Sequence, residues 1–293
     1  MKLSQFQFFL FLGLILPVVG LASPVKLTLA QVSKLEVTER VRFYQNFQPK
    51  NLANLDEFIP ALIYGLKDPD DVVRAAAFGN TVYVMIGLQE MKQQGQPMPP
   101  LTVADIQRLQ QALLDGLKDK LPEVRGTAMV ALIYSGPRNP MIEQALSTTL
   151  SHESDQQLRV GMAKEMALAG YNDPMAKEGL VAALDNPDSK VREEAAKAIA
   201  VVRPSGALDK LVVRLGDPEM MRDFVVDATA AYGAEASLAL PMLEKMLADP
   251  SLGGTLNPRI REAIASIKNP ESKLAVPAPI RMVSLVDSVA PTE

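Results

Sequence analysis

The chain contains no cysteine, no tryptophan and a single histidine, His152, in 293 residues. Each absence removes a class of chemistry. Without cysteine there is no disulfide, no thiolate nucleophile, no Cys-based zinc site and no lipid attachment at an N-terminal Cys. One imidazole has no second with which to hold a metal or relay a proton. Aromatic residues are scarce at 5%, which suits close-packed small helices better than a β-sandwich. Basic runs are missing as well, and with a formal charge of −4 the footprint of a nucleic-acid binder is absent. What remains, 48% hydrophobic and 22% charged, is ordinary globular usage.

The N-terminus reads MKLSQFQFFLFLGLILPVVGLASPVK. Lys2 is followed by an apolar run from Phe8 to Leu16, which Pro17 interrupts, and Gly20-Leu21-Ala22 offers small residues for cleavage. This predicts a secretory signal peptide over residues 1–22 and export to a bacterial periplasm or beyond the cell. An uncleaved anchor is the rival reading, and the run is short for a span. After cleavage no membrane span is expected.

The rest of the chain repeats itself. Leucine pairs four residues apart recur at Leu62/Leu66, Leu113/Leu117, Leu146/Leu150, Leu180/Leu184, Leu211/Leu215 and Leu243/Leu247. That spacing puts both leucines on one face of a helix. Two residues after most pairs stands a helix-start signal, Asp68-Pro69, Asn186-Pro187, Asp217-Pro218 or Asp249-Pro250, read as an N-cap followed by proline at the first helical position. Asp119 has the cap without the adjacent proline, and the third copy is blurred to Ser151-His152-Glu153. An arginine then follows each: Arg74, Arg125, Arg159, Arg192, Arg222 and Arg261. Gly136, Gly170 and Gly233 lie eleven residues beyond three of these, where a second helix needs a left-handed cap. Each unit thus reads as helix, tight turn, helix. The first interval between arginines is 51 residues against 30 to 39 for the others, because QEMKQQGQPMPPLT interrupts it as an exposed loop.

These residues resemble a HEAT-repeat protein of the short bacterial kind, with units similar to those of phycobilin lyases. The carriers are the Asp-Pro turns, Val73-Arg74, Val124-Arg125 and Val191-Arg192, the alanines of VREEAAKAIAVV, and Pro60 and Pro241 at the place of the family's first-helix kink. The resemblance covers residues 54–268. It implies an all-α fold, an α-solenoid of about six helical hairpins, and is nearly silent on function. Independently of it, one hairpin cannot bury its own apolar face, so neighbours must stack. Residues 23–53, with Leu35, Val37, Val41 and Phe43, are assigned as an N-terminal cap, either a strand-like alternation or an amphipathic helix. The Pro-rich tail, 269–293, is a cap ordered to about Asp287 or a stalk.

The acidic and basic repeat residues, Asp68, Arg74, Asp119, Arg125, Arg159, Arg192, Asp217, Arg222, Asp249 and Arg261, are read as a structural ladder that sets the stacking register. No phosphate loop or HExxH is present. His152 is expected in a solvated turn, and Glu193-Glu194 diverge on a helix too far for an acid/base pair. Asp68, Asp70 and Asp71 lack the spacing of a calcium loop. No cofactor and no metal site is expected.

What remains is surface. Counting five and nine residues beyond each arginine places Gly79, Tyr83, Val130, Tyr134, Lys164, Leu168, Lys197, Val201, Asp227 and Ala231 on the concave side. Tyr83, Val130, Tyr134, Lys164 and Lys197 are the candidate partner contacts, with acidic groups of the partner near the two lysines. The function expected is a non-catalytic scaffold of the cell envelope that binds a protein or peptide. The alternative, which the resemblance to phycobilin lyases implies, is a tetrapyrrole-binding or lyase-like protein. A nucleic-acid role, as in glycosylases built from similar repeats, conflicts with the acidic balance.

Overall fold

The computed structural model describes residues 28–46, 55–99, 101–135, 139–217, 222–252 and 256–269. The expected leader, the tail beyond Asn269 and Gly136 lie outside these residues. Every regular element among them is a helix. The molecule divides into two compact units, the boundary falling between Thr149 and Leu150.

The first unit opens with a single turn, α1 (Leu29–Val32), and α2 (Val37–Asn46). Two hairpins follow, α3 (Leu55–Gly65) with α4 (Asp71–Gln93), and α5 (Val103–Gly116) with α6 (Pro122–Tyr134). The boundary lies within α7 (Pro140–His152). Second helices pack in sequence, α2 on α4 and α4 on α6, while α3 packs on α5. Both first helices carry a glycine near their C-terminal ends where the next layer comes close. A Cβ on Gly65 would lie 2.3 Å from the Tyr44 ring, and one on Gly116 the same distance from Phe78.

The second unit begins at the end of α7 and continues with α8 (Gln156–Leu168). Then come the hairpins α9 (Pro174–Ala183) with α10 (Ser189–Val202), α11 (Ala207–Arg214) with α12 (Arg222–Ala230), and α13 (Leu240–Ala248) with α14 (Leu256–Lys268). Again the second helices form one layer, α8 on α10, α10 on α12, α12 on α14. A 3-10 segment, Gly233–Ala239, leads into α13 and packs on α14.

The leucine pairs do what their spacing predicts. Eleven of the twelve side chains belong to buried residues, and Leu247 is half-buried. Gly170 and Gly233 have φ of +77° and +56°, the left-handed conformation expected of them.

Three expectations need correcting. The cap sits two residues later than the Asp-Pro phrase suggests. The N-cap of α4 is Asp70, whose carboxylate accepts from the N–H groups of Val72 and Val73 at 3.0 and 3.1 Å. Those of α8 and α10 are Asp155 and Asp188, and α6 starts after Leu121 with Pro122 in its first turn. The reason is that the earlier Asp is already engaged: Asp68 Oδ1 accepts from Asp70 N at 2.9 Å, closing a turn ahead of the helix. Second, residues 89–93 are the last turns of the 23-residue α4, built from good helix formers, so the loop begins only at Gln94. Third, His152 ends helix α7, where the Ser151 Oγ lies 3.0 Å from its Nδ1. Of the Leu35–Phe43 alternation, Val37, Val41 and Phe43 lie in a helix, α2, while Leu35 sits in the bend before it, and α2 is a second helix of the repeat.

Candidate binding faces and the arginine ladder

A repeat arginine can do two jobs, and Arg74 on α4 does both. Arg74 Nη1 donates to the carbonyl of Asp68 in its own turn at 3.0 Å. Its Nε and Nη2 fork onto Asp119, the equivalent Asp of the next hairpin, at 2.6 and 3.1 Å. Arg125 makes the same first bond, to the Asp119 carbonyl at 2.9 Å, and Arg192 to the Asn186 carbonyl at 2.8 Å. The inter-repeat contact returns where Arg192 Nε lies 3.2 Å from Asp217 Oδ2. Two planar N–H groups meeting two carboxylate oxygens fix distance and angle together, so the fork sets one helical pair against the next. Burial alone would raise the Asp119 carboxyl, but the hydrogen bonds from Arg74 and from Leu121 N–H hold it below its ordinary value.

Sequence reading missed one rung and misread another. Arg40 on α2 forks onto Asp68 at 2.9 and 3.3 Å and donates to the Leu35 carbonyl at 2.6 Å. The signal was present, since Arg40 precedes Arg74 by the same 34 residues that separate Arg125 from Arg159. In the blurred copy Glu153 is buried and its Oε1 accepts from Asp155 N at 3.0 Å, the place Asp68 and Asp119 occupy in theirs. At Asn186 the rung position holds an amide; it closes the same turn on Asp188 N and donates to Gln156. Arg159 and Arg222 are half-buried and Arg261 is exposed on α14. Asp249 closes its turn on Ser251 N at 2.9 Å. Asp68, Asp70 and Asp71, which lack the spacing of a calcium loop, are each engaged within the fold: Asp68 with Arg40, Asp70 in capping, and Asp71 with Arg74 and Lys120.

The candidate contact residues fall into two sets. In the first unit Tyr83 is half-buried, and its phenol is raised by that burial. Gly79, one turn earlier on α4, has open space where a Cβ would stand. Val130 and Tyr134 are different. They are only 3% and 4% exposed, so neither offers a partner appreciable area, which corrects their place on the accessible face. Gln89, buried on α4, donates to the Tyr134 carbonyl at 3.0 Å and satisfies an end carbonyl of α6.

In the second unit Lys164 and Lys197 do share a face, and an acid from the chain itself lies between them. Glu194 accepts from Lys164 at 2.7 Å and from Lys197 at 2.6 Å. Burial pushes Glu194 up, but the two ammonium groups prevail and hold it below its ordinary value. Lys197 also stands over the Phe224 ring of α12, 4.1 Å from its centroid. Further along, Arg259 of α14 pairs with Asp227 and lies 3.6 Å from Asp223, both on α12. Leu168, Val201 and Ala231 run beside this ionic row, each half-buried. Beneath it Glu165 is buried, and burial pushes its carboxyl up despite the nearby Lys164.

Comparison with known proteins agrees with this architecture. Residues 143–223 match the model of HEAT repeats. A designed armadillo repeat protein is 21% identical with a TM-score of 0.50, the match covering 71% of this chain and 99% of that one. Another designed armadillo repeat protein, solved in complex with the peptide (KR)4, is 20% identical with the same score, over 71% and 99%. An engineered protein is 19% identical, again at 0.50, over 73% and 97%. No curated protein matches the chain. Among the described residues no helix is long and apolar enough to cross a membrane. The fold is therefore an all-α repeat solenoid, with HEAT repeats matched over residues 143–223.

Proposed function

We propose that this protein is a non-catalytic scaffold of the cell envelope that binds a protein or peptide along its second helices. The observation that carries this reading is the half-exposed row Lys164, Lys197 and Asp227, flanked by Leu168, Val201 and Ala231. Successive helices present it at one register. Its ions are held in place by Glu194, Phe224 and Arg259 before any partner arrives, which lowers the ordering cost of binding. Tyr83 on α4 adds a rigid, half-exposed aromatic in the other unit. One neighbour of the same fold was solved with a bound peptide, which is consistent with use of such a surface. Because Lys164 and Lys197 already meet Glu194, an acidic group on the partner must compete with that carboxylate. Export rests on the N-terminal sequence, and N-terminal sequencing of the mature chain should begin at Ser23.

The test is photocrosslinking in the native envelope. A photoreactive residue replaces Lys197 or Tyr83, with Lys177 of α9 and Lys210 of α11, both on first helices, as controls. A discrete adduct at Lys197 and Tyr83, absent at the controls, is expected. Adducts at the controls alone, or at no position, would overturn the assignment of the face.

A further inference from the structure

The arginine ladder breaks at one rung of the second unit, and both sides of that rung depart from the pattern. Arg40, Arg74 and Arg192 each reach the aspartate of the next turn, Asp68, Asp119 and Asp217. Arg222 has Asp249, whose carboxyl is held below its ordinary value first by hydrogen bonds from Ser251 and then by Arg222. Arg159 on α8 stands at the same place in its repeat, but the turn before α10 offers it Asn186 in place of a carboxylate. It also lacks the other bond of the pattern, the donation to its own turn that Arg74, Arg125 and Arg192 make. Among the described residues the Arg159 side chain makes no hydrogen bond and no ion pair, although the residue is half-buried. A guanidinium partly withdrawn from water with its N–H groups unmatched favours any acceptor that can reach it.

The surroundings of Arg159 supply more donors and no free acceptor. Gln156 precedes it by three residues on α8, on the same face of the helix. Gln156 Oε1 accepts from Asn186 Nδ2, and Asn186 Oδ1 accepts from Asp188 N at 2.9 Å. Both amide oxygens are therefore engaged within the chain, while the Gln156 Nε2 group and one Asn186 N–H are left over. The neighbouring acids are engaged as well. Asp155 and Asp188 cap α8 and α10, and Asp185 pairs with Lys210 and Arg214. A planar guanidinium beside amide donors suits the two oxygens of a carboxylate, the group that Asp68, Asp119 and Asp217 provide at the intact rungs.

We propose that the Arg159–Asn186 rung binds a carboxylate from outside the chain, an aspartate or glutamate side chain of the partner that completes the ladder in trans. The carboxylate site stands on the broken rung alone. That a protein or peptide supplies the carboxylate rests on the proposed binding function.

The test titrates the mature chain with N-acetylglutamate α-amide, which carries one side-chain carboxylate, and with N-acetylglutamine α-amide, its neutral counterpart, at constant ionic strength. The readout is the NMR signals of the Arg159 Nε–H and of the Gln156 and Asn186 side-chain amides. Saturable shifts with the glutamate probe, absent with the glutamine probe, are expected. Asn186→Asp places a carboxylate at the rung from within the chain, and Arg159→Gln removes the guanidinium. Each should weaken binding of the glutamate probe by about tenfold or more, the change that ~1.4 kcal/mol produces. No saturable shift in the parent overturns the site, and so does equal binding to the parent and Asn186→Asp chains with helix content unchanged. Inorganic phosphate is the third probe, and tighter binding of phosphate than of the glutamate probe overturns the assignment to a carboxylate. For the source of the carboxylate, photocrosslinking through Lys197 is repeated in the Arg159→Gln chain, where the adduct should fall by about tenfold. An undiminished adduct overturns the partner as that source. No adduct even with Arg159 present overturns the binding face proposed above and leaves the titration result standing.

Discussion

Helices α6 and α10 occupy the same place in the repeat and live in different surroundings. Both follow a turn closed by an Asx side chain, and both carry the arginine that donates back to that turn. Beyond the arginine they diverge. Helix α6 shows Thr127, Val130 and Tyr134, all buried, where α10 shows Glu194, Lys197 and Val201, all half-exposed. The repeat therefore dictates backbone and register while leaving the outward stripe free to vary. One stripe is apolar and covered. The other is ionic, internally paired and open, and it is the better candidate for an external partner.

A charge exchange between the two stripes gives the sharpest contrast. Val130→Lys should cost about 3 kcal/mol or more, because an ammonium would be buried with no carboxylate among its repeat-equivalent neighbours. The reciprocal Lys197→Val, on a side chain that is 28% exposed, should stay within about 1 kcal/mol. Urea denaturation of the two variants measures both, and similar small losses would abolish the distinction between the helices.

The ladder is the feature the two regions share, and breaking it should cost nearly as much. Arg74→Ala leaves Asp119 buried without its guanidinium and should lose about 2–4 kcal/mol. The Asp119 pKa is depressed in the folded protein, so its contribution is present above the unfolded value near 3.9 and disappears as pH falls through the lower folded value. Wild type and Arg74→Ala should therefore converge in denaturation midpoint in strong acid. A gap that stayed constant with pH would show that the arginine acts by packing and not by charge.

Glu165 has the opposite sign. Its folded pKa is raised, so its contribution to stability is full below the unfolded value near 4.3 and is lost as pH rises through the folded value. Glu165→Gln should then stabilise the second unit by about 1 kcal/mol at neutral pH and lose its advantage below the unfolded value. Thermal melts across that range decide it. The smallest effect belongs to the rung that holds an amide. Asn186→Asp offers Arg159 a carboxylate at the ladder position and should add about 0.5 kcal/mol. No gain, or a loss, would mean that nearby Asp185 and Asp188 outweigh the new pair.

Much of this architecture was legible because it is local. The leucine pairs, the arginine recurrence and the turns all arise within one hairpin, from contacts a few residues apart on a helix. Even the missed rung at Arg40 was written in its 34-residue spacing. The displaced caps were harder to read, because Asp68 and Asp70 are both good acceptors and only the fold shows that Arg40 and the Asp70 N–H claim the first.

By itself the sequence determined that the chain is helical and repetitive, which faces are apolar and where an arginine recurs, since each follows from helical periodicity and capping. Only the tertiary structure decided that Arg74 reaches the aspartate of the next hairpin, that Lys164 and Lys197 share Glu194, and that Val130 and Tyr134 are covered. Those outcomes depend on how far one helix is offset from its neighbour and on what lies across it. Periodicity along a single helix carries no information about either.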